Sequence, residues 1–143
     1  MDVEKVDVVL ADDEFVNLTV AAMGLGSAGF DDDRIFQVES GEDAIAQVKA
    51  LQGEGSGALL VILDLHMPGG MDGHEAAAVL ASQQANFARP PFLVCCSSEI
   101  VEDLKTRPWA SRFHHFAPKP LVSTAVTDMV DAFELFHRQH SSV

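Results

Sequence analysis

The chain has 143 residues, enough to bury one substantial core and too few for two domains of roughly 100 to 200 residues each. Apolar residues at 48% and charged residues at 22% exclude a disordered chain. Twenty-two acidic against nine basic residues leave a net charge of −13, which repels nucleic-acid backbones and anionic membranes. No apolar run approaches the roughly 18 residues of a membrane span, and the opening MDVEKVD lacks the basic and then apolar order of a signal peptide, so a cytoplasmic location is expected.

Five short apolar runs rich in β-branched residues each precede a segment with helical spacing. VDVVLA (6–11) leads into a helical stretch over 15–28 that closes in GLGSAG (24–29). Those spaced glycines resemble a dinucleotide fingerprint, but they end a helix instead of joining a strand to one, and Asp31, Asp32 and Asp33 follow, which would repel a pyrophosphate. They are read as a helix end and turn, with glycine supplying positive φ. RIFQVES (34–40) precedes GEDAIAQVKAL (41–51), and Gly53, Gly55, Ser56 and Gly57 form a connector to ALLVILD (58–64). GHEAAAVLASQQANF (73–87) is the third helix and PFLVCCS (91–97) the fourth strand. A short helix near 99–107 stops before Pro108, RFHHFA (112–117) is the fifth strand, and the last helix covers 122–138. A (βα)5 order with strands apolar almost throughout predicts a doubly wound, five-stranded parallel sheet with helices on both faces. The result is a three-layer α/β sandwich forming a single domain over 1–143, its core at about 5–138.

Cys95 and Cys96 are neighbours on a strand and point to opposite faces, so they are read as small buried hydrophobes and not as a disulfide or metal pair. His114 and His115 alternate across a strand, and His137 and His140 form an exposed i,i+3 pair; neither is read as a zinc site.

The residues that terminate the strands carry the chemistry, because ligands of open α/β sheets gather beyond the carboxyl ends of the strands. The first run ends in Asp12 and Asp13, the third in Asp64, the fourth in Ser97, and the fifth runs into Lys119 and Pro120. Any one of them alone is ordinary: a helix cap, a turn residue, a solvated lysine. Together they put three carboxylates, a hydroxyl and an ammonium on one edge. Clustered carboxylates repel unless a cation sits among them, and all-oxygen ligation suits Mg2+ or Mn2+.

In these residues the chain resembles the receiver domains of two-component response regulators, over essentially its whole length. VVLADDE, LDLHMPGGMDG and FAPKP are similar to that family's three signature segments in the family's order. Ser97 lies 22 residues before Lys119, similar to the family's spacing between its hydroxyl residue and its lysine, and Phe116 falls where the family carries an aromatic switch. The resemblance implies a flavodoxin-like strand order of 2-1-3-4-5. It also implies a phosphoaccepting Asp64, with Asp12, Asp13, Asp64 and the backbone carbonyl of His66 around Mg2+. Ser97 and Lys119 would contact the phosphoryl group, and His66 and Glu99, each two residues beyond a site residue, would tune its lifetime. The implied partners are a sensor histidine kinase or a histidine phosphotransfer protein as donor, and a downstream protein at the face of the fourth helix, fifth strand and fifth helix.

Three departures from the family pattern stand out. MPGGMDG is one glycine longer than usual, Ser97 replaces the commoner threonine, and Pro108 shortens the fourth helix. With no room for an output domain, a stand-alone, chemotaxis-type receiver is expected, catalysing its own phosphorylation and dephosphorylation without turnover of a substrate. A compact start and end are those expected of a whole protein. The competing readings are an unphosphorylated pseudo-receiver that binds proteins and a Mg2+-dependent phosphatase of the haloacid dehalogenase type. The second needs an acid two residues after its nucleophile, where this chain has His66.

Overall fold

A computed structural model of the chain describes residues 1–55 and 57–140, so Ser56 of the glycine-rich connector lies outside the described residues. Five strands alternate with five helices: β1 (Val8–Ala11), α1 (Phe15–Ser27), β2 (Ile35–Val38), α2 (Gly41–Ala50), β3 (Leu59–Asp64), α3 (Gly73–Ser82), β4 (Pro91–Ser97), α4 (Val101–Leu104), β5 (His115–Pro118) and α5 (Ser123–His140). All neighbouring strands pair in parallel, in the order β2-β1-β3-β4-β5.

Side chains of a strand alternate between faces, and here both faces are covered, so every residue of β1, β3 and β4 is buried. Val8, Leu10, Leu60, Ile62, Phe92 and Val94 pack under α1 and α5 against Leu18, Leu25, Met129 and Phe133. Val9, Ala11, Leu59, Val61, Leu63 and Leu93 pack under α2, α3 and α4 against Val48, Ala77, Leu80 and Leu104. The same alternation sends Cys96 to the first layer and Cys95 to the second; both thiols are free and buried.

The fourth helix, expected near 99–107, is a single turn over Val101–Leu104, and the third helix and fifth strand are also shorter than their sequence spacing predicts. The third helix stops at Ser82, whose hydroxyl donates back to the Val79 carbonyl at 2.8 Å, and a 3-10 turn over Gln84–Asn86 follows. The fifth strand starts at His115 because a 3-10 turn occupies Ala110–Arg112, where the Arg112 guanidinium donates to the His74 carbonyl at 3.1 Å. His114 therefore precedes the strand, and the expected alternation with His115 fails: both rings stack near Phe92, with centroids at 5.4 and 6.5 Å.

Two histidines act as acceptors for backbone amides. His114 Nδ1 accepts from Leu93 N–H at 2.9 Å, and His137 Nδ1 accepts from Ala58 N–H at 3.2 Å. Only the neutral ring can accept. Burial holds both below the usual histidine pKa, helped at His114 by His140 and at His137 by Arg89 and the N-terminus, and burial does the same to His115. An unfolded histidine titrates near about 6.5. As pH falls through that value the unfolded chain takes up protons that the folded chain refuses, so the stability these groups contribute above it is lost on acidification. The urea midpoint is expected to drop between pH 7.5 and pH 5.5, with a shallower drop in the double variant His114→Gln, His137→Gln. An equal drop in both proteins would remove these two rings as the cause.

Candidate functional site

The carboxyl ends of β1, β3 and β4 and the residue after β5 meet at one edge of the sheet. Asp12 continues the parity of Val8 and Leu10, and Asp64 that of Leu60 and Ile62, so both rise on the α1 and α5 side. Lys119 arrives from β5, its backbone N–H donating to the Ser97 carbonyl at 2.9 Å. Its ammonium donates to Asp12 Oδ2 at 2.8 Å and to Asp64 Oδ1 at 2.9 Å, bridging two strand ends. Asp12 Oδ1 accepts from Glu14 N–H at 2.9 Å and from the Asn17 amide at 3.5 Å, which fixes the carboxylate to the start of α1. Asp12 and Asp64 are buried, Asp13 is half-buried, and oxygens of the three lie within 4.8 Å of one another.

Two glycines permit this assembly through close approach. A Cβ on Gly73 would lie 2.2 Å from the Asp64 carbonyl oxygen, so the start of α3 can press on the end of β3 only without a side chain. A Cβ on Gly24 would lie 2.2 Å from the Leu121 carbonyl oxygen, in the loop just beyond Lys119. Of the glycines in GLGSAG only Gly29 has positive φ, at 102°, so the expectation that this segment uses glycine for turn geometry holds at one position, and Gly24 serves packing inside α1.

The longer loop after β3 is tied down at both ends. Gly70 N–H closes a turn on the Met67 carbonyl at 3.2 Å, Gly41 N–H donates to the Met71 carbonyl at 2.8 Å, and Met71 N–H donates to the Glu42 carboxylate. Asp72 caps α3 by accepting from Glu75 N–H at 3.2 Å, and Glu75 returns an acceptor to Asp72 N–H at 3.3 Å. The extra glycine thus sits in a turn anchored to α2 and α3.

The charges at the site pull on each other. Burial pushes the Asp64 carboxyl above the usual carboxylate range, reinforced by Asp12 and opposed by the hydrogen bond and charge of Lys119. Burial also works against the Lys119 ammonium, but its hydrogen bonds to Asp12 and Asp64 outweigh it and hold the lysine above its ordinary value. The donor set is all oxygen and carries three carboxylates, a chemistry that fits a hard divalent cation.

Below the carboxylates lies a cavity of about 80 Å³ lined by Ile62, Cys96, Lys119 and Leu121 among others. Cys96 is paired with Asp64 in the β3–β4 register, one residue short of the strand end, and Ser97 is the terminal residue of β4. Burial pushes the Cys96 thiol up to about 12, in keeping with a small buried hydrophobe.

The Ser97 hydroxyl accepts from Glu99 N–H at 3.1 Å. The Glu99 carboxylate meets His66 Nε2 at 2.8 Å through one oxygen and Arg107 Nη2 at 2.9 Å through the other, contacts that hold it below its usual range. His66 and Glu99 therefore touch, which their positions two residues beyond Asp64 and Ser97 did not specify. Phe116 is half-buried under α4, its ring 5.8 Å from that of Phe113. Sequence reasoning missed Arg107, Asn17, the two close-approach glycines and the Asp72–Glu75 cap of α3; of these only the cap had a local signature, Asp-x-x-Glu.

No protein-family model matches the sequence, and no curated protein matches it. Solved structures do match. The receiver domain of a CheY-like response regulator from Methanospirillum hungatei is 23% identical, with 94% of this chain and 95% of that one covered and a TM-score of 0.63. A chemotaxis response regulator of Vibrio cholerae is 19% identical over 88% of this chain and 96% of that one, with a TM-score of 0.66. The receiver domain of a histidine kinase from Arabidopsis thaliana is 18% identical over 93% and 92%, with a TM-score of 0.72. The chain has the flavodoxin-like α/β fold of response regulator receiver domains.

Proposed function

We propose that the chain is a phosphoaccepting receiver domain in two-component signalling, with Asp64 as the acceptor. The observation that carries this reading is the Lys119 ammonium held between Asp12 and Asp64, 2.8 and 2.9 Å away, inside an all-oxygen acidic cluster. A carboxylate oxygen of Asp64 attacks the phosphorus of a phosphohistidine, the P–O bond forms as the P–N bond breaks, and the departing imidazole nitrogen keeps the electron pair. No general base is needed, because the ionised nucleophile carries no proton. A phosphoryl group brings about −1.5 to −2 of charge, so the site must supply cations. Lys119 is one. Asp12, Asp13, Asp64 and the His66 carbonyl would hold Mg2+ or Mn2+, which when bound neutralises charge on the phosphoryl oxygens.

Ser97, at the end of β4, has a donor hydrogen to offer a phosphoryl oxygen while its oxygen keeps the Glu99 N–H. Phe116 is assigned the switch between resting and phosphorylated packing, with output at the face of α4, β5 and α5. His66 and Glu99 are assigned the control of water access. The donor is a sensor histidine kinase or a histidine phosphotransfer protein. No helix among the described residues is long and apolar enough to cross a membrane.

Incubation with Mg2+ and acetyl phosphate tests the reading. Stoichiometric, hydroxylamine-labile labelling is the expected result. No label in the presence of the metal would leave a protein-binding pseudo-receiver, and fast multiple turnover would make the chain a phosphatase.

A further inference from the structure

Glu99 touches the site mouth, the Ser97 hydroxyl and the segment beyond α4 together. Its backbone N–H holds Ser97 Oγ at 3.1 Å, and its carboxylate spans His66 at 2.8 Å and Arg107 at 2.9 Å. Arg107 lies three residues past the end of α4, its N–H donating to the carbonyl of the fully buried Leu104 at 3.1 Å. The Arg107 guanidinium lies 6.0 Å from the ring centroid of Trp109, and that ring stacks on His74 at 5.3 Å and 10°. The Arg112 guanidinium fixes the His74 carbonyl at 3.1 Å. An unbroken string of contacts therefore runs from the two loops flanking Asp64 and Ser97 to an aromatic surface between α3 and the segment after α4.

We infer that Arg107 is a positioning residue for the site: through Glu99 it holds His66 across the gap between the loops after β3 and β4, and it links that clamp to the Trp109 surface. The inference rests on Asp64 being the acceptor and adds to it a contact chain that sets the lifetime of the phosphoryl group. A clamped His66 narrows the path of attacking water. Freeing Glu99 from Arg107 loosens the clamp.

The test is a double-mutant cycle on the full chain, labelled with acetyl phosphate and Mg2+. Arg107→Ala and Glu99→Ala each shorten the half-life of the acyl phosphate by about two- to fivefold, the scale of one exposed ion pair, and the double variant is no faster than Glu99→Ala alone. Arg107→Lys, which keeps a cation able to meet one carboxylate oxygen, restores most of the lifetime. Independent effects that multiply in the double variant, or an unchanged half-life in Arg107→Ala, overturn the inference. Trp109 is the sole tryptophan, so its acrylamide quenching reads the same link without phosphate. Glu99→Ala should change that quenching as the guanidinium leaves the ring, and no change would also overturn the link. If the parent chain takes no label, the acceptor reading fails by itself, and the Trp109 response to Glu99→Ala still decides whether Glu99 and Trp109 are joined.

Discussion

Asp64→Asn is expected to abolish metal-dependent phosphoryl incorporation while leaving the fold intact. The amide has the shape of the carboxylate, but its oxygen is a far weaker nucleophile and carries no charge for a cation. The same substitution removes one of three carboxylates whose oxygens crowd within 4.8 Å, and Lys119 keeps its 2.8 Å contact to Asp12. Burial already disfavours the charged form of Asp64, so neutralising it relieves a cost, and the thermal midpoint should hold or rise. Intact-mass spectrometry after incubation with acetyl phosphate and Mg2+ reads the first outcome and calorimetry the second. Incorporation that persisted in Asp64→Asn with hydroxylamine-labile chemistry would assign the acceptor to another carboxylate, and a collapsed melting transition would make Asp64 a structural residue instead.

The sheet was legible because its strands are apolar runs that no helix period fits. PFLVCCS becomes β4 with both bounds as expected, since Pro91 opens it and every residue to Ser97 is buried. What failed depends on contacts distant in sequence. RFHHFA reads as one strand locally, but Arg112 is drawn into a turn by the carbonyl of His74, 38 residues away. The strand-end residues could be placed on one edge from chain order alone, because parallel strands all end there. Which of them touch could not: the Lys119 bridge joins residues 107 and 55 positions apart, and the His66–Glu99–Arg107 contacts depend on how two loops lean. Gly24 and Gly73 carry no turn signal because the constraint on them is a carbonyl arriving from another segment. Asp7 was hidden for a related reason. In VDVVL it reads as a polar step in a strand, and only the fold reveals that it is buried against Arg89, 82 residues away.

That pair carries the largest stability effect expected in the molecule. Asp7 precedes β1 and Arg89 precedes β4, so they meet at the edge of the sheet opposite Asp64. Their side chains are 7% and 3% exposed and joined at 2.9 Å. Arg89 also donates to the carbonyls of Leu51 at 3.2 Å and Gly57 at 3.3 Å, and Arg34, 43% exposed, reaches the other Asp7 oxygen at 3.3 Å. Arg89→Met strips Asp7 of its buried partner and leaves two carbonyls without their donor. Removing one member of a buried ion pair costs about 3–5 kcal/mol, against a total stability of roughly 5–15 kcal/mol for a domain. Urea unfolding should show a loss on that scale for Arg89→Met, and a smaller loss for Asp7→Leu combined with Arg89→Met, because the double variant buries no uncompensated charge. The acidic cluster around Asp64 lies at the other end of the strands, so in the cold, where the variant stays folded, any labelling at Asp64 should match the parent. A loss below about 1 kcal/mol in Arg89→Met is the behaviour of a solvent-exposed pair and would refute the role assigned to this contact.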